Sequence, residues 1–201
     1  MIAMTRRLLQ LYAGLILYGV SLALQIRAGL GLDPWDVFHQ GVSDKTGLSF
    51  GTIVIITGAL VLLAWIPIRQ KPGIGTVSNV IVLGIVVDIT LSILGDVHGL
   101  PLQLALLTSG VVLNAVAGAA YIGAGLGPGP RDGLMTGLVK KTGKSVGVIR
   151  TSIEVSVLVV GFFLGGTVGL GTVVYALSIG PLLQVFMPAF AIKPQPVPAP
   201  A

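Results

Sequence analysis

Cysteine is absent from the 201-residue chain, so neither a disulfide nor a thiolate metal site can form. Its two histidines, His39 and His98, stand too far apart in sequence to suggest a structural zinc, and nothing in the pattern calls for another metal or a cofactor. Charge is scarce too: charged residues are 9% of the chain against 54% hydrophobic, and the mean hydropathy is +0.98. That balance excludes a soluble domain and predicts a polytopic membrane protein whose first partner is the lipid bilayer. A formal charge of +5 could suggest nucleic acid. Most basic residues, however, fall in short loops between apolar runs, where they act as orientation signals, so no nucleic-acid partner is expected.

What the chain does contain is a repetition. The run from Gly29 to Gly47, including Gly29-Leu30-Gly31, Pro34-Trp35-Asp36 and Lys45-Thr46-Gly47, recurs 96 positions later. The second copy keeps Gly125-Leu126-Gly127, Pro130-Arg131-Asp132 and Lys141-Thr142-Gly143. The offset also relates Gly14 to Gly110, Ser49 to Ser145, Gly51 to Gly147, the stretch 73–77 to 169–173, and Gly84 to Gly180. Two tandem units, 1–96 and 97–190, therefore account for nearly the whole chain, with a Pro-rich, disordered cytoplasmic tail at 191–201.

Six apolar segments, 8–28, 49–68, 74–94, 102–124, 146–166 and 172–190, are each near the ~20 residues that cross a bilayer. The first follows Arg6 and Arg7 as a signal peptide would, but its length and its counterpart in the second unit favour a span. With three spans per unit, the second unit enters the membrane from the opposite side. The expected fold is thus all-α: six transmembrane helices in two inverted three-helix repeats, each with a short Gly/Pro-started helix after its first span. With the N-terminus inside, Arg6, Arg7, Arg69, Lys71, Arg131, Lys140, Lys141, Lys144 and Lys193 are cytoplasmic, while Arg27 and Lys45 fall outside. The bias predicts both termini in the cytoplasm.

In each polar island Gly-Leu-Gly ends a helix, and a new one starts with Asp33, Pro34 and Asp36 in the first copy, or Gly129, Pro130 and Asp132 in the second. The first short helix carries Trp35, Phe38 and Val42 on one face and Asp36, His39, Gln40 and Ser43 on another. Two placements fit: an interfacial linker anchored by Trp35, or an inward-packed broken element of the kind that surrounds transporter sites. Gly129, Gly133 and Gly137, spaced for close helix approach, favour the second.

Polar residues inside spans are costly and merit a role. Glu154 and Arg150 stand at i,i+4, either as a helix-stabilising pair or as part of a substrate or proton site. Asp88 and its counterpart Gln184 keep a polar group at one level, and Asn114, Asn79 and Gln25 are expected to bond between helices. Gly47-Leu48-Ser49-Phe50-Gly51 and Gly143-Lys144-Ser145-Val146-Gly147 match the nucleophile-elbow pattern but lack its strand, and no His follows Ser145. Both serines read instead as helix caps. A phosphate loop at Gly143-Lys144-Ser145 fails because Leu138 stands where its first Gly would be. No enzyme is expected.

The Gly29-Leu30-Gly31 to Gln40-Gly41 run with a six-span layout resembles the YczE/YyaS/YitT group of small bacterial integral membrane proteins, over about residues 6–190. The likeness is carried by Gly29, Gly31, Pro34, Trp35, Asp36 and Gln40, and departs at Arg131 and Met135 in the second island. It implies a bacterial cytoplasmic-membrane protein and little about substrate. The leading expectation is a small permease, a possible homodimer, moving an unknown small molecule. Asp36, Asp132, Trp35, His39, Gln40, Arg131, Glu154, Arg150 and Asp88 would line its pathway, and Gly29, Gly31, Pro34, Gly125, Gly127 and Pro130 would shape the islands. The alternative is an accessory or scaffold protein that binds a partner and transports nothing.

Overall fold

A computed structural model describes residues 2–192; the expected tail, with Lys193, lies outside the described residues. Among these residues the chain is all-α, with eight helices: α1 (Ile2–Ala28), α2 (Pro34–Thr46), α3 (Phe50–Trp65), α4 (Ile74–Ile93), α5 (Leu100–Gly123), α6 (Pro130–Thr142), α7 (Val146–Leu164) and α8 (Leu170–Phe190). Local chemistry sets the breaks. Gly29 and Gly125 follow α1 and α5 at φ of 65° and 66°, and Gly47 and Gly143 close α2 and α6 at 72° and 69°, a region that penalises any Cβ. Ser49 and Ser145 cap α3 and α7 by accepting bonds from Thr52 N and Val148 N, at 3.2 and 3.3 Å.

Five helices (α1, α4, α5, α7 and α8) are long and apolar enough to cross a membrane alone, and the bent pair of α2 and α3 makes up to six. The second expected span, 49–68, needs correcting. Its helix covers only 16 residues, about 24 Å at 1.5 Å per residue, and meets α2 at a bend of 116°. Turns at 66–69 end it early, with Arg69 at a φ of 55° and the Trp65 indole held to Pro130 O at 3.0 Å.

Helices α1 and α5 form the central pair. They run antiparallel, since Gly14 abuts Ala117 and Tyr121 while Gly110 abuts Ser21 and Gln25. Alongside α1 lies α4 in parallel, with Gly19 against Leu83 and Val86, and α8 lies parallel to α5, with Gly118 near Leu183 and Gly123 against Phe190. Outside them α2 packs on α7, and α6 on α3. The interfacial placement of α2 is not the one that forms: Trp35, Asp36, Val37, His39 and Gly41 are all buried. Both faces of α2 are covered, because Gly161 and Gly166 let the α7 end approach the Val37 backbone while Arg131 meets the acidic face.

The loops at the two ends of the bundle match at the 96-residue offset. At one end Gly171 N donates to Leu30 O at 2.7 Å, and at the other Gly75 N donates to Leu126 O at 2.8 Å. Gly31 lies against Thr172 as Gly127 lies against Thr76. Each loop then turns inward, delivering the N-termini of α2 and α6 to the interior.

Candidate polar cavity at the meeting of two helix N-termini

Asp33 is the N-cap of α2, its Oδ1 accepting from Trp35 N at 2.8 Å and Asp36 N at 3.0 Å. Facing it, Arg131 in the first turn of α6 reaches both acids: Nη1 stands 3.6 Å from Asp33 Oδ1 and Nη2 3.4 Å from Asp36 Oδ1. Its guanidinium lies 5.0 Å from the centroid of the Trp35 ring, a cation–π stack. Asp36 Oδ1 also lies 3.1 Å from His39 Nδ1. Asp132 Oδ2 accepts from the Tyr121 hydroxyl at 2.9 Å. The islands thus meet through Trp35 and Arg131, which are equivalent positions of the repeat.

Two spaces adjoin this junction. The larger, about 120 Å³, lies against α7 and α8 and is lined by Arg131, Met135, Arg150, Ile153, Glu154 and Tyr175, together with Asp33, Asp132, Tyr18 and Tyr121. The smaller, about 30 Å³, lies against α3 and α4, where its walls include Trp35, His39, Val54, Thr57, Gly58 and Asn79. Adding 96 to each of those last six positions gives the first six of the larger space. The two are counterparts of unequal size that share Trp35, Asn79, Leu83, Pro130 and Arg131. Tyr18 lies ten residues, about 15 Å, before the end of α1, so the larger space is well inside the bundle.

Of the expected pathway residues, Asp36, Trp35, His39, Arg131 and Asp132 come together here. Arg150 and Glu154 pair at 2.8 Å and also stand in the cavity wall. Two residues belong elsewhere. Gln40 Oε1 accepts from Thr167 N at 2.7 Å, tying α2 to the loop after α7. Asp88 accepts from Ser49 Oγ at 2.5 Å and Gly51 N at 2.7 Å, which makes it a clasp between α4 and the start of α3. The structural residues stand as expected: Gly29, Gly31, Gly125 and Gly127 all have positive φ, and Pro34 and Pro130 open their helices. Asn114 bonds across to Ser21 Oγ at 2.9 Å and accepts from the Tyr175 hydroxyl at 3.1 Å, whereas the Gln25 amide donates to Ser21 O within its own helix.

Sequence reasoning passed over Asp33 as more than a cap, and over Tyr18, Tyr121 and Tyr175. A signal was there. The offset pairs Tyr18 with Asn114 and Asn79 with Tyr175, a Tyr/Asn exchange in both units.

Membrane-length apolar helices around a buried charged cavity define a multi-pass helical membrane protein. Residues 5–188 match the model of a family described as a family of unknown function, DUF6198, and the chain belongs to that family. An uncharacterized protein of Haemophilus influenzae is 38% identical over 180 residues, covering 90% of this chain and 83% of that one. The uncharacterized membrane protein YczE of Bacillus subtilis is 36% identical over 88% of this chain and 83% of its own. The uncharacterized protein YyaS of the same organism is 27% identical over 87% and 89%. No solved structure matches.

Proposed function

We propose that the protein is a small secondary transporter of the bacterial cytoplasmic membrane, built from two inverted repeats that expose one polar site to either side in turn. The carrying observation is the pair of equivalent spaces, about 120 and 30 Å³, that flank the Trp35–Arg131 junction. Two copies of one unit in opposite orientations can exchange conformations, and the exchange opens one space as it closes the other. The flanking helices support this reading. Gly51 and Gly84 bring α3 and α4 into backbone contact, with Asp88 clasping the joint. At the equivalent positions Gly147 and Gly180 face open space, Gln184 is exposed, and α7 and α8 barely touch. With the N-terminus inside, as the loop charges favour, the first turns of α7 lie toward the cytoplasm. The state described is then inward-open and outward-closed. The scaffold alternative rests mainly on the segment after Ile192, outside the described residues.

The absence of cysteine supplies the test. Single cysteines replace Thr57 and Ile153, equivalent positions on the walls of the two spaces. In oriented vesicles, Ile153→Cys reacts with a membrane-impermeant thiol reagent from the cytoplasmic side, and Thr57→Cys reacts from the opposite side at a slower rate set by the conformational exchange. A Thr57→Cys protein that stays inert from the outside, while folded and inserted, sinks the proposal.

A further inference from the structure

The larger cavity is over-supplied with negative charge. Four carboxylates, Asp33, Asp36, Asp132 and Glu154, stand in or beside it against two guanidiniums, Arg131 and Arg150. Surplus charge inside a bundle carries a large desolvation cost unless a proton or a bound cation neutralises it. Asp33 sharpens the point. It is 3% exposed, and while its Oδ1 serves Trp35 N, Asp36 N and Arg131, its Oδ2 is buried with no hydrogen-bond partner. A buried carboxylate oxygen without a partner is charge that the protein's own donors leave unbalanced.

The remaining walls say which cation. Trp35, Tyr18, Tyr121 and Tyr175 supply aromatic rings, and Arg131 over Trp35 shows an organic cation already accommodated on one of them. Among the described residues no three His, Cys, Asp or Glu side chains are grouped to hold a metal ion. The α6 N-terminus has no side-chain cap and would alone attract an anion, but Asp132 in its first turn supplies that charge. A volume of about 120 Å³ suits a few heavy atoms.

We propose that the transported substrate is a small monovalent organic cation, an ammonium or guanidinium compound, whose N–H or N–CH₃ groups meet Asp33 and Asp132 against the rings of Trp35, Tyr18 and Tyr121. The assignment rests on the transport reading and names the substrate class of the same site.

The test uses the detergent-purified full chain. Its thermal unfolding is followed in tetramethylammonium, methylammonium and methylguanidinium chlorides, with sodium chloride at equal ionic strength and sodium acetate as controls. At least one organic cation raises Tm saturably, and acetate does not. Asp33→Asn keeps an oxygen for the α2 cap, so it folds, and it weakens the half-saturating concentration roughly tenfold or more. Glu154→Gln, on the half-exposed wall of the cavity, weakens binding in the same direction and remains informative should Asp33→Asn prove unstable. Stabilisation by acetate alone, or equal cation binding by wild type and both variants, overturns the assignment. If no cation binds while the Thr57 and Ile153 thiols still alternate, the cation assignment falls and transport stands. If those thiols never alternate, the transport reading itself falls.

Discussion

A Cβ added at Gly133 would land on the Trp65 ring, and one added at Gly161 would land on the backbone of Val37 and Phe38. Gly133 is the repeat counterpart of Val37, and Gly161 that of Trp65. The first joint is filled by the Trp65 ring and the second by close backbone approach, so neither glycine has room for a side chain. Gly133→Ala should therefore cost about 1–3 kcal/mol of stability through overpacking. Trp65→Leu in that background should recover part of it, and thermal unfolding of the four proteins of the cycle measures the coupling. Asp33 separates two roles at a single residue: Ala removes the cap and costs about 1 kcal/mol, whereas Asn retains the cap and loses only the charge. A variant pair with equal unfolding temperatures would contradict the capping geometry at Trp35 N and Asp36 N.

At the scale of elements, the two flanks answer differently to the same substitution. In α4, Gly84 sits against the Gly51 carbonyl and the Ile55 side chain, so Gly84→Leu should prevent α3 from docking and lower Tm by several degrees or abolish folding. Gly180 is its equivalent in α8 and has nothing near it. Gly180→Leu should cost far less stability than Gly84→Leu, the remaining penalty being that of a Cβ in the helical residue before Pro181. Yet it should block the closure of α8 on α7 and arrest exchange. The expected readout is a well-folded protein in which Ile153→Cys still labels and Thr57→Cys no longer does. A Gly180→Leu protein with unaltered Thr57→Cys labelling would show that α7 and α8 need not meet.

For the whole molecule, the loop charges imply that Lys71 faces the cytoplasm and His98 the opposite side. Both are exposed, and in intact cells an impermeant thiol reagent should mark His98→Cys at once and Lys71→Cys only after permeabilisation. The reverse pattern would invert the orientation and make the larger cavity outward-facing. Much of this architecture is written in local chemistry. Hydropathy summed along the chain located the membrane helices, Gly29, Pro34, Gly125 and Pro130 marked the breaks, and the 96-residue offset marked the paired islands. Those signals survive in sequence because helix formation and partitioning into lipid depend on near neighbours along the chain. The second span was drawn too long even though Pro67, two residues past the last helical residue Trp65, marks a helix end in the local sequence. Asp88 reads as a pathway residue from sequence, and its bonds to Ser49 and Gly51 make it a clasp; the inward packing that Gly129, Gly133 and Gly137 favour over an interfacial Trp35 is the one that forms, with Trp35 buried under Arg131. Composition and near-neighbour pattern carry the class, the helices and the two islands. Long-range packing settles that the island N-termini meet, that Asp33 faces Arg131, and that α3 closes on α4 while α7 and α8 stand apart. Those outcomes turn on which faces pack across some hundred residues, a choice that neither composition nor periodicity along one chain encodes.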